Sequence, residues 1–135
     1  MIRLGIIGLV LVTWILQAEQ GMELKDFRWE NRVLILRDVQ LGEINEDDFK
    51  ERKLVYVQFL SDTLSATNFE GEIEPESFKE FLDIRPTENW FLIGLDGGLK
   101  SKGSKLPKIS DIFRIIDAMP MRQSEMRKGK KDGKF

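Results

Sequence analysis

WFLIGLDGGLK, residues 90–100, decides how this chain folds. WFLIGL (90–95) is an unbroken apolar run of strand length, the pattern of a strand covered on both faces. Asp96-Gly97 then predicts a type I′ hairpin, a turn that needs positive φ at both central residues. LKSKGS (99–104) returns as an antiparallel strand. Its lysines suit a sheet edge, where charge discourages pairing with another chain.

Upstream, VLIL (33–36) and LVYVQFL (54–60) read as two further buried strands. Between them, Asn45 with Asp48 three residues on resembles a capping box and predicts a short helix over 46–52. SDTLSATNFEGEIE (61–74) is polar and acidic and reads as a loop. Its Glu70-x-Glu72-x-Glu74, like Glu46-Asp47-Asp48, lacks the spacing of a calcium loop and reads as a solvated face. Pro75 opens a helix with Phe78, Phe81 and Leu82 on one face, and Pro86 ends that region. Downstream, Pro107 leads into a last helix. Ser110 is its expected N-cap, and Ile112, Phe113, Ile115, Ile116 and Met119 are its apolar face. The order is β-α-β-α-β-β-α. Right-handed crossovers make the first strands parallel, and the hairpin adds an antiparallel edge. The expectation is an α/β, thioredoxin-like domain with a mixed four-stranded sheet and helices packed on it.

The ends differ from this body. Residues 1–18 run from basic MIR through uncharged LGIIGLVLVTWIL (4–16) to Ala18, the order of a signal peptide and too short for a membrane span. The expected product is a periplasmic or secreted domain over 22–128, with 129–135 as a basic disordered tail. No stable membrane span is expected after cleavage. Without the leader the charge is 20 − 23 = −3, with +4 in residues 121–135 and −7 in 19–120. Such a balance does not point to nucleic acid.

The chain has no Cys and no His. Thiol redox chemistry, Cys nucleophiles, Ser–His–Asp triads and Cys/His zinc sites are therefore excluded. A thioredoxin places its reactive pair just after the first core strand, where this chain has RDVQLGEI (37–44). It also places a proline directly before the third, where this chain has Asn89 and Trp90.

FRWENRVLIL (27–36), LIGLDGGLK (92–100) and IIDAMPMRQSEM (115–126) together resemble the bacterial exported family known as domain of unknown function 4174. That family is similar to the domain shared by vertebrate sushi-repeat proteins and equarin, the P-DUDES group. The resemblance covers roughly residues 24–127, and IDAMPMR is its specific part. It implies a peroxiredoxin-related, thioredoxin-like fold, and no established activity. Its motif residues fall on Trp29, Arg32, Gly94, Asp96, Gly97, Lys100, Asp117, Met119, Pro120, Met121, Arg122, Glu125 and Met126.

Pro120 ends or kinks the last helix, and MRQSEMRK restarts as a short one. Arg122 and Glu125, at i and i+3, share a face and can pair. One reading of this elbow is structural: methionines fill gaps, and Arg122 holds Asp117, Glu125 or a carbonyl. A second is recognition, in which Arg32, Lys100 and Arg122 converge with Asp96, Asp117 and Glu125 to bind a protein or a small anion, with no cofactor. Weak Cu(I) binding by Met119, Met121 and Met126 is a third, thioethers being soft ligands. The broad expectation is a non-catalytic binding or structural module. Its alternative is an enzyme that works with Asp96, Asp117 and Arg122.

Overall fold

The structure is a computed structural model that describes residues 21–131 and Gly133. The expected leader, 1–18, lies outside the described residues. One sheet organises the rest. Its strands are β1 (Arg32–Arg37), β2 (Leu54–Leu60), β3 (Thr63–Thr67), β4 (Trp90–Ile93) and β5 (Leu99–Gly103). They lie in the order β3-β2-β1-β4-β5. β1 and β2 are parallel, with Arg32 opposite Leu54, and every other pair is antiparallel. The chain is an α/β protein whose β2-β1-β4-β5 core has the thioredoxin-like arrangement, with one strand more than the four expected.

The extra strand comes from the stretch read as a loop. β3 folds back on β2 across Ser61-Asp62, both in the left-handed region with φ of 49° and 61°. This is the pair of positive φ angles of a type I′ hairpin, carried by residues with no glycine to announce it. The Ser61 amide donates to Asp38 Oδ1 at 2.9 Å, which helps hold the turn. Conversely, Asp96-Gly97 is not a type I′ turn. Only Gly97 has positive φ, 84°. Its amide donates to the Gly94 carbonyl at 3.0 Å, and the Gly94 amide donates to the Gly98 carbonyl at 2.8 Å. The connection is one residue longer than expected, with Gly97 supplying the left-handed residue that lets the ladder resume.

Helices cover both faces: α1 (Glu46–Glu51), α2 (Pro75–Asp83), α3 (Ile109–Asp117) and α4 (Pro120–Lys131). A 3₁₀ turn, Leu24–Phe27, precedes β1. Alternation along β1 splits the core in two. Val33 and Ile35 pack with Phe27, Phe78 and Phe91 on one face. Leu34 and Leu36 pack with Phe49, Trp90, Ile112 and Ile116 on the other. All four of these side chains, Val33 to Leu36, are fully buried, which is why VLIL reads as continuous rather than alternating. Asn45 caps α1 by accepting from the Asp48 amide at 3.1 Å, and Pro75 is the first residue of α2. α3 starts two residues earlier than expected. Lys108, not Ser110, is its N-cap, and no side chain caps it. α4 runs to Lys131, beyond the boundary placed at 128 and into the stretch expected to be disordered.

Candidate functional site

The α3–α4 elbow forms as the sequence suggests. α3 ends at Asp117, and Met119 donates its amide to the Ile116 carbonyl at 2.9 Å. Pro120, without an amide proton, then opens α4 at a position where none is needed. The elbow turns Arg122 inward, where it is 1% exposed. Its Nε donates to Asp117 Oδ1 at 3.0 Å, its Nη2 to Glu51 Oε1 at 2.8 Å, and its Nη1 to the Glu51 carbonyl at 3.1 Å. Arg52 holds the same carboxylate from the other side. Its Nε and Nη2 donate to Asp117 Oδ1 and Oδ2 at 3.1 and 3.0 Å. The Arg52 guanidinium also lies 4.1 Å from the centre of the Phe113 ring.

Glu125 extends the network. Its Oε2 lies 3.7 Å from Arg122 Nη1 and accepts from Arg32 Nη1 at 3.3 Å. Arg32 is fully buried at the start of β1, and its Nη1 also donates to the Arg52 carbonyl at 2.8 Å. Among the described residues Arg32 Nε and Nη2, and Glu125 Oε1, have no hydrogen-bond partner. Three arginines thus interlock with three carboxylates, Glu51, Asp117 and Glu125. Burial is the strongest single influence on Asp117 and opposes its ionisation. The hydrogen bonds from Arg52 and then Arg122 outweigh it together, so its carboxyl lies below the usual range. For Arg122, burial favours the neutral form, but the bonds from Asp117 and Glu51 prevail and raise its pKa.

The β4–β5 hairpin carries a second pair. Lys100 Nζ donates to Asp96 Oδ2 at 2.8 Å, and the Gly98 amide donates to Asp96 Oδ1 at 2.9 Å. The Lys100 bond first and the Gly98 amide next lower the Asp96 pKa. The stem of Lys100 crosses Gly94 so closely that a Cβ there would collide with its Cγ and Cε. A bare backbone at 94 therefore fixes how Lys100 reaches Asp96. Trp29 steadies the hairpin from outside. It is 55% exposed with φ of 68°, a conformation unusual for a bulky residue, and its amide donates to the Leu95 carbonyl at 2.7 Å.

Between hairpin and elbow lies a pocket of about 250 Å³, lined by Arg32, Leu95, Asp96, Lys100, Met119, Pro120 and Met121. The expected convergence is therefore divided. Arg32, Asp117, Arg122 and Glu125 join one network. Asp96 and Lys100 pair with each other, and they meet Arg32 across the pocket. Arg122 and Asp117 are absent from the pocket wall. Met119 and Met121 line it, and Met126 does not. Glu51 and Arg52 were not expected at the site. They end α1 as ordinary helix-surface charges in the sequence, with no motif to single them out. Among the described residues no group of three or more His, Cys, Asp or Glu is placed to hold a metal ion, and no helix is long and apolar enough to cross a membrane.

A cysteine-free thioredoxin-like domain, with its motif residues gathered at one end of the sheet, is the class that fold and site define. The profile of the family described as Domain of unknown function (DUF4174) matches residues 23–125, and the chain belongs to that family. No curated protein matches the chain. No solved structure matches it either.

Proposed function

We propose that this domain is an exported, non-catalytic binding module that holds a small anion between the β4–β5 hairpin and the α3–α4 elbow. The observation that carries this reading is the composition of the pocket wall. Residues from three distant parts of the chain meet there: Arg32 from β1, Asp96 and Lys100 from the hairpin, and Met119 to Met121 from the elbow. A concave, largely apolar surface with a few convergent polar groups is the usual form of a small-molecule site. The leader-like residues 1–18 support export.

The acids argue against catalysis. A carboxyl that acts as a general acid near neutral pH needs a raised pKa. Asp96 and Asp117 are both shifted the other way, each committed to a cation. Most of the remaining network is taken up by internal ion pairs, as in a scaffold.

Amide chemical shifts followed while the domain is titrated with phosphate, acetate and hexanoate test the proposal. The expected result is a saturable change confined to residues 94–100 and 119–122 with at least one of these anions. Flat titrations with all three would remove the proposal.

A further inference from the structure

The edge of Arg32 that lacks partners narrows the ligand. A guanidinium offers two forked edges, Nη1/Nη2 at its end and Nε/Nη2 along its side. Arg32 spends Nη1 on the Arg52 carbonyl and Glu125. The side-on fork, Nε with Nη2, is the part with no acceptor among the described residues. Buried N–H groups without acceptors are rare and costly, the more so on a charged group. Arg32 is fully buried and is also part of the pocket wall. Glu125 sits at the Nη1 end and does not occupy the fork.

Resting on the reading of this pocket as an anion site, we infer that its ligand is a small aliphatic monocarboxylate, gripped by the side-on fork of Arg32. Three features select that class. Two parallel N–H donors match the two oxygens of a planar carboxylate. Lys100 is neutralised by Asp96 at 2.8 Å, so Arg32 is the cation of the wall that keeps unpaired donors, and a monoanion matches it better than a phosphate dianion. The rest of the wall is Leu95, Met119, Pro120 and Met121, an apolar lining for a hydrocarbon chain with adaptable thioethers. A volume of about 250 Å³ suits a short chain rather than a drug-sized molecule.

Isothermal titration of the intact domain with acetate, hexanoate, N-acetylleucine and inorganic phosphate tests this. Hexanoate should bind at least about tenfold more tightly than acetate, from its buried methylenes, and more tightly than phosphate. Arg32→Lys keeps the charge but loses the fork, and should weaken hexanoate at least about tenfold, the usual discrimination of a forked contact. Because Arg32 is buried, Met121→Glu serves as the second variant. Met121 is 39% exposed, so the domain should melt normally while the new carboxylate repels hexanoate and abolishes its binding. Phosphate binding more tightly than hexanoate would overturn the ligand class and leave the anion site standing. Tighter binding of N-acetylleucine would replace the free acid with a peptide terminus. Hexanoate binding untouched in folded Met121→Glu would overturn the location, and no binding of any probe would remove both this inference and the anion site.

Discussion

Replacing Arg122 with Ala tests whether the elbow is held by the ion network. The side chain makes three hydrogen bonds, two of them to carboxylate oxygens, while itself 1% exposed. Bonds to charged groups contribute roughly 1.5–3 kcal/mol each, so a simple sum overstates the loss. The Glu51 and Asp117 side chains are 34% and 33% exposed, so water replaces much of what they lose. Asp117 also keeps both bonds from Arg52. What remains is the stranded Glu51 carbonyl, the weakened carboxylates and the packing of the arginine stem. Together these amount to about 2–4 kcal/mol. For a domain of this size the melt should fall by roughly 8–16 °C. Urea unfolding read by the fluorescence of buried Trp90 measures the change directly, with an unchanged slope as the sign that two-state behaviour survives. Arg122→Lys should recover less than half of the loss, since an ammonium cannot match the fork that spans Asp117 and Glu51. A loss below about 1 kcal/mol for Arg122→Ala would refute the network as the source of stability.

Two further outcomes follow from the same residues. Asp117 has a folded-state pKa below its ordinary value of 3.8, so its contribution is complete above that value and is lost as pH falls through the lower folded pKa. Parent and Asp117→Asn should therefore differ by a constant unfolding free energy at neutral pH, and the gap should close below about pH 4; a gap unchanged down to pH 2 would show that the charge is irrelevant. The proposed export predicts a mature chain that begins at Glu19, by cleavage after Ala18, and mass spectrometry of the protein recovering an intact residue 1 would contradict the leader reading.

The core was legible because its signals are local. VLIL, LVYVQFL and WFLIGL are apolar runs of strand length, and each becomes a buried strand. Asn45 and Pro75 open their helices through chemistry that acts within one turn. β3 was illegible for the opposite reason. Its turn carries Ser61 and Asp62 in left-handed geometry, which a sequence announces only when glycine or asparagine stands there, and its exposed edge position leaves no continuous apolar run. The Asp96-Gly97 pair gave the hairpin but not its length, because the same dipeptide serves both turn geometries. At the site, the pairing of Arg122 with Asp117 was one of the contacts open to sequence spacing, five residues apart on one elbow. Arg52 and Glu51 reach it from 65 and 71 residues away, a distance at which only the folded sheet decides who meets whom.

The position of Arg32 has a consequence for the order in which the chain is made. It begins the first core strand, yet its carboxylate partner, Glu125, is 93 residues further on. At roughly 5–20 residues per second, synthesis leaves β1 without that partner for about 5–20 seconds. During that interval, seating β1 in a core would bury a guanidinium with no counter-charge from α4, at a cost of several kcal/mol. The nascent strand therefore carries a built-in brake at its leading end. Burying the start of VLIL early carries a charge penalty that the last helix relieves once Glu125 is in place.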